Sequence, residues 1–108
     1  MLTKTWSDKE KITFITFLAK GYMNSMRRVH LYRIFGVQEG HMQYEGELGS
    51  LYLVDSALRL CSSTSEFILR NEFFGYSKPN WYRDYYSKSS FYRLKKQAID
   101  EFIDCLNL

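Results

Sequence analysis

The sequence predicts an all-α protein, a small helical domain with a C-terminal trihelical helix-turn-helix. Three observations support this prediction. Apolar residues recur at helical spacing along most of the chain, two segments begin with a capping-box pattern, and alternating β patterns are nearly absent. The chain has 108 residues, of which 45% are hydrophobic, enough for one domain or for two small lobes that share a core.

The first helix is predicted to follow a capping box, with Ser7 as the N-cap and Glu10 three residues later. Gly21 could end this helix or be tolerated inside it. A second helical stretch is predicted for residues 24–35, with Gly36 as its C-terminal cap. These helices form a predicted N-terminal lobe, residues 1–36.

Residues 37–50 are predicted to form a Gly-rich acidic loop between this lobe and a second helical lobe, residues 51–108. Four of the six glycines lie in this segment or directly before it, and clustered glycines are typical of loops. A helix is predicted to resume at Ser50 and to reach Cys61.

Two shorter helices are predicted next. Ser63 with Glu66 matches a capping box and opens a helix over residues 66–74, closed by Gly75. Pro79 suits the first turn of a short helix over residues 79–85.

The last predicted helix runs from Lys88 to about Asn107, with Ser87 as its N-cap. Trp81, just before it, is expected to pack into the core of the three C-terminal helices, with a stacking role at the surface as the alternative. The apolar residues of the last helix recur every three or four positions and should face the same core: Phe91, Leu94, Ala98, Phe102 and Cys105.

The charge distribution favours an acidic partner for this helix. The net charge is only +3, but residues 65–98 carry seven basic and three acidic side chains, whereas residues 99–108 carry three acids and no base. Ser89, Tyr92 and Arg93 fall outside the apolar stripe in the first two turns, as does Lys96. Such a polar, basic helix start is typical of a helix that contacts DNA in the major groove.

The run Tyr-Ser-Lys-Ser-Ser-Phe-Tyr-Arg-Leu-Lys-Lys-Gln-Ala at 86–98 resembles the recognition helix of the ArpU-type phage late transcription regulators. That family is similar to region 4 of sigma factors, and a Tyr-Ser-x-Ser-Thr-(Tyr/Phe)-Tyr-Arg-x-Lys run opens its DNA-reading helix. The resemblance covers about residues 66–105. The whole chain, rich in tyrosine and lysine, is also similar to small uncharacterised proteins of mollicutes.

The resemblance implies that Ser87 caps the recognition helix and that Phe91 and Leu94 anchor it. It departs from the family before that helix, where residues 81–85 are Trp-Tyr-Arg-Asp-Tyr rather than small apolar residues with a glycine. Lys78 and Arg83 are expected to contact the DNA backbone. The resemblance also implies that the following residues approach DNA: Lys88, Ser89, Ser90, Tyr92, Arg93 and Lys96.

The sequence therefore predicts a cytoplasmic DNA-binding transcriptional regulator of bacterial or phage type. Double-stranded DNA is the expected partner of the C-terminal helix, and the N-terminal helices would form a homodimer or contact RNA polymerase. The alternative is a helical protein–protein interaction adaptor, associated with RNA polymerase, that does not bind DNA itself. Its support is the low net charge and the unusual segment at 81–85.

No catalytic, cofactor-binding or metal-binding pattern was recognised, so an enzyme is not predicted. His30 and His41 have no Cys or His neighbour at metal-ligand spacing. Cys61 and Cys105 are expected to be separate, buried small hydrophobic residues rather than a disulfide. No segment resembles a signal peptide or a membrane span, so no membrane contact is expected.

Overall fold

The structure is a computed structural model that describes residues 5–36 and 41–106. Within these residues there are four α-helices and no strand. The prediction of an all-α protein is confirmed. The helices are α1 (Asp8–Ile34), α2 (Met42–Leu60), α3 (Ser63–Glu72) and α4 (Lys88–Cys105), and a 3-10 helix (Trp81–Asp84) lies between α3 and α4.

Helix α1 is a single helix of 27 residues, so Gly21 is tolerated inside it, which is one of the two possibilities that the sequence left open. The prediction of a second helical stretch starting at residue 24 is wrong, because α1 continues through it. Its start is as predicted. The Ser7 hydroxyl accepts a hydrogen bond from the backbone N–H of Glu10 at 3.1 Å, and the Glu10 carboxylate accepts one from the Ser7 N–H at 2.9 Å. Both hydrogen bonds hold the first turn in place.

Helix α2 begins at Met42, well before Ser50, so the prediction of a loop is wrong for residues 42–50. Residues 37–40 lie outside the described part of the chain. Packing explains the difference, because Tyr44 is buried and its hydroxyl accepts a hydrogen bond from Arg33 Nε at 3.1 Å. Tertiary contacts of this kind can override the low helix propensity of glycine.

Helix α3 begins three residues earlier than predicted. Its N-cap is Ser62, whose hydroxyl accepts a hydrogen bond from Ser65 N at 3.3 Å. Glu66 is therefore not part of a capping box with Ser63. Its carboxylate accepts a hydrogen bond from Arg70 Nε at 2.9 Å instead.

A carboxylate from α4 completes the N-terminus of α3. Glu101 accepts hydrogen bonds from the Ser65 hydroxyl at 2.7 Å, from the Ser62 hydroxyl at 3.2 Å and from the Ser62 backbone N–H. A negative charge at a helix N-terminus is favourable because of the helix dipole. Glu101 therefore ties α4 to α3 and stabilises the first turn of α3 at the same time.

The helical part of the segment before α4 is shorter than predicted. Instead of a helix over residues 79–85, it forms the four-residue 3-10 helix, which Asn80 precedes in a left-handed conformation with φ 61°. Helix α4 itself begins as predicted, with the Ser87 hydroxyl accepting a hydrogen bond from Ser90 N at 3.3 Å. Helix α3, the short 3-10 helix and the long helix α4 thus follow one another in the predicted order. Their arrangement as a helix-turn-helix remains a prediction.

One core joins all of these elements. Buried residues from α1, α2, α3, the 3-10 helix and α4 form a single cluster. The predicted stripe of α4 is part of it, with Phe91, Ala98 and Phe102 buried and Leu94 and Cys105 half-buried. The molecule measures 47 × 36 × 21 Å, and the smallest dimension is about the thickness of two packed helices.

None of the helices in the described ranges is long and apolar enough to cross a membrane.

Candidate nucleic-acid interface

The start of α4 is held rigidly. Ser87 closes the first turn with its hydroxyl, and its backbone carbonyl accepts a hydrogen bond from Phe91 N at 2.9 Å. Phe91 is only 1% exposed. Because the helix is fixed at this point, the side chains at 88, 89, 92 and 93 project from a well-defined surface.

Aromatic side chains pack against the core-facing side of this helix start. The ring of Trp81 meets the ring of Phe91 edge-on, with a centroid distance of 5.6 Å. The Trp81 indole N–H donates a hydrogen bond to Glu72 at 3.0 Å. Trp81 is half-buried and packs against the core cluster, as the sequence predicted.

The predicted DNA-binding residues are at the surface, apart from Ser90, which is half-buried. On an ideal helix, the five exposed members in α4 fall within an arc of about 140°. Tyr92 is 52% exposed and remains accessible although it lies beside Phe91. The exposed residues are Lys78, Arg83, Lys88, Ser89, Tyr92, Arg93 and Lys96.

Lys95 is a basic residue of the same helix that points elsewhere. Its ammonium lies 2.6 Å from a carboxylate oxygen of Glu72, and it also lies over the ring of Phe73 at 5.4 Å from the centroid. Its side chain is 18% exposed. Lys95 therefore joins α4 to the end of α3 and is not available to a nucleic acid.

Lys96 has a partner that sequence reasoning missed. Its ammonium lies 3.4 Å from a carboxylate oxygen of Asp8, in the first turn of α1, and both side chains are largely exposed. An exposed pair of this kind contributes little to stability. Lys11 of α1 also pairs with Asp100 of α4 at 2.7 Å. The start of α1 therefore lies beside the exposed basic residues of α4, and Asp8 places a negative charge next to Lys96.

Four of the predicted cations are not engaged in this way. Lys78, Arg83, Lys88 and Arg93 are exposed, and among the described residues no salt bridge neutralises them. Lys88 and Arg93 lie in the first two turns of α4. We call Lys88, Ser89, Tyr92 and Arg93 the α4 surface.

The structure brings the two cysteines together, which the sequence analysis did not predict. Their sulfur atoms are 3.9 Å apart, with Cys61 at the end of α2 and Cys105 at the end of α4. Burial raises the pKa of the Cys61 thiol from 9.0 to about 12, and the neighbouring Cys105 acts in the same direction.

Across the described ranges, no cluster of three or more His, Cys, Asp or Glu side chains could hold a metal ion.

Comparisons of the chain with protein families, with curated proteins and with solved structures gave no match.

Proposed function

We propose that this protein is a DNA-binding transcriptional regulator that contacts double-stranded DNA through the α4 surface. The observation that carries the proposal is the pair of exposed cations Lys88 and Arg93, which project from the capped N-terminus of α4 and form no salt bridge with any residue that the structure describes. Lys88 is electrostatically unfavourable at this end of a helix. A phosphate bound beside it would reverse that cost.

The chemistry of the α4 surface suits a DNA duplex. Phosphate oxygens can bind near a helix N-terminus, where the helix dipole and Lys88 both attract negative charge. Arg93 lies one turn further along, and an arginine can donate two hydrogen bonds to the major-groove edge of guanine. Lys78 and Arg83 would add backbone contacts, which orient a protein on DNA without reading sequence.

Helix α3 would hold α4 against the duplex in the proposed helix-turn-helix. Two polar contacts between these helices, Lys95 with Glu72 and Glu101 with Ser65, support a fixed crossing. The proposed recognition surface ends near Lys96, because Asp8 lies beside that residue. Within α4, the contact with DNA is therefore proposed for the first two turns alone.

The test is fluorescence anisotropy with a labelled random-sequence duplex over a series of salt concentrations. Micromolar binding that weakens with salt is expected, as is typical of non-specific DNA binding. On a random-sequence duplex Arg93 is expected to bind a phosphate rather than one particular base. Arg93→Ala should therefore weaken binding and reduce the slope of log K against log salt by about 0.9, and Lys88→Ala/Arg93→Ala by about 2. Arg59→Ala is the matched control, since Arg59 is also an exposed helical arginine but lies on α2.

The proposal fails if the wild-type protein shows no salt-dependent binding. It also fails if Arg59→Ala and Arg93→Ala weaken binding equally, because the contact would then be diffuse. In the first case the adaptor function becomes the better proposal, and RNA polymerase would be the first partner to test.

A further inference from the structure

A large apolar groove lies between α1 and α2, and Cys105 and Leu106 at the end of α4 also line it. Its volume is about 680 Å³. Helix α1 contributes Phe14, Phe17 and Gly21, and helix α2 contributes Leu53 and Leu60 among others. We call this surface the α1–α2 groove. It lies apart from the α4 surface, since no residue of that surface lines it.

Large apolar side chains project beside the groove and are mostly in contact with water. Phe17 is 77% exposed, Leu53 68% and Leu60 71%. Single exposed apolar residues are common on proteins, but several large ones around one groove mark an interaction site. Covering them would be favourable by about 25 cal/mol for each Å² of apolar surface removed from water.

We infer that a second copy of this chain covers the α1–α2 groove and forms a symmetric homodimer. A two-fold contact requires one surface to hold both the projecting groups and the spaces that receive them. This surface holds both. Phe17 and Leu53 project from it, whereas a side chain added at Gly21 would meet nothing within 4 Å. Helices α1 and α2 of the two copies would pack as a four-helix bundle, ridges into grooves.

The charges of the groove also favour a second copy. Of the described residues that line it, Arg28 alone carries a formal charge. Its guanidinium donates a hydrogen bond to Glu47 of the same chain at 2.6 Å. Because this charge is neutralised within each chain, two copies can face each other without like-charge repulsion. A strongly charged partner would find no unpaired opposite charge among these lining residues.

The face is large enough to supply most of a dimer interface. Helix α2 has 19 residues. A face two helices wide and as long as α2 measures roughly 20 × 28 Å, so its flat footprint is roughly 550 Å². Projecting side chains make the accessible area larger than this footprint. A standard interface buries about 800 Å² for each partner. The inference rests on the exposed apolar side chains of the α1–α2 groove and does not depend on DNA binding by α4.

Sedimentation equilibrium of the full chain, at about 1–100 µM and without DNA, tests the dimer. The mass of the wild-type protein should rise from 12.9 kDa to twice that value. Phe17→Glu/Leu53→Glu should remain at 12.9 kDa over the same range. Tyr76→Glu is the matched control, because Tyr76 is 85% exposed but does not line the groove, and it should form dimers like the wild type.

A second variant distinguishes loss of the dimer from loss of folding. Gly21→Lys improves the helix propensity of α1 and places a charged side chain in the open space, so a folded monomer is expected, with the fold checked by circular dichroism. A wild-type mass that stays at 12.9 kDa throughout would overturn the inference. So would dimers of Phe17→Glu/Leu53→Glu or Gly21→Lys that form as readily as those of the wild type.

Discussion

The ring of Tyr82 lies parallel to the ring of Phe91, with the two centroids 4.0 Å apart and the two planes within 2°. Tyr82 belongs to the 3-10 helix and Phe91 to the first turn of α4, and both are buried. This stacked pair connects the two elements. It therefore sets the direction in which α4 leaves the turn, and with it the position of the α4 surface.

Loss of the Tyr82 ring should destabilise the protein strongly. Tyr82→Ala removes a buried aromatic side chain and leaves a cavity beside Phe91, so the free energy of unfolding should fall by about 3 kcal/mol. Tyr82→Phe keeps the stacked ring and should change it by less than about 1 kcal/mol. Urea denaturation measures both. A loss below about 1 kcal/mol for Tyr82→Ala would show that the pair does not hold α4 in place.

Glu101 should make stability depend on pH. Burial acts to raise the pKa of Glu101, but the hydrogen bonds from Ser62 and Ser65 outweigh burial, and the pKa is lowered from 4.5. Since the pKa is lower in the folded state, the contribution is complete above 4.5 and is lost as the pH falls through the lowered value. Glu101→Gln should therefore cost about 1–2 kcal/mol at neutral pH.

The difference between the wild type and Glu101→Gln should shrink toward zero as the pH falls through the lowered pKa of Glu101, because the carboxyl is then protonated. Urea denaturation at several pH values measures this difference. Asp104→Asn is the control, since Asp104 lies on the same helix but is exposed. A cost for Glu101→Gln that is the same at acidic and neutral pH would contradict the assignment of these hydrogen bonds.

Two adjacent lysines of α4 should differ in their effect on stability. Lys95 is largely buried and pairs with Glu72 at 2.6 Å, whereas Lys96 and Asp8 form an exposed pair at 3.4 Å. Lys95→Ala should lower the free energy of unfolding by about 1–2 kcal/mol, because the carboxylate of Glu72 then loses its ion-pair partner in a largely buried position. Lys96→Ala should change it by less than about 0.5 kcal/mol. Equal effects in thermal or urea unfolding would contradict the difference in burial.

The two thiols should react at different rates in the folded protein. With its pKa raised to about 12, Cys61 has a thiolate fraction on the order of 10⁻⁴ at pH 8 and is also buried. Cys105 is half-buried. In dilute protein, a colorimetric thiol reagent should modify Cys105 first and Cys61 only after unfolding. Cys61→Ala should keep the fast phase and Cys105→Ala should lose it, whereas equal rates for both thiols would contradict the burial of Cys61.

Local features of the fold could be predicted from sequence. The caps at Ser7 and Ser87 depend on hydrogen bonds between residues three positions apart, so their pattern is visible in a short window. The core stripe of α4 follows from helical spacing in the same way. These local signals are sufficient for the all-α class and for the start of the helix that carries the α4 surface.

Features that depend on distant residues could not be predicted. The start of α2 is helical because Tyr44 packs against α1, which no local propensity indicates. Cys61 and Cys105 are 44 residues apart in sequence, and Asp8 meets Lys96 across nearly the whole chain. The α1–α2 groove was missed for the same reason, since its walls belong to different helices and each looks like an ordinary amphipathic face.

The contact between Glu101 and Ser65 also affects how the chain folds while it is being translated. Glu101 follows Ser65 by 36 residues, so α3 is translated long before the carboxylate that completes its N-terminus. Until Glu101 leaves the ribosome, the hydroxyl of Ser62 caps α3 without the help of this carboxylate. Ribosome-bound chains stalled before residue 101 would then carry an α3 that frays at its N-terminus, and the arrival of Glu101 would fix this first turn.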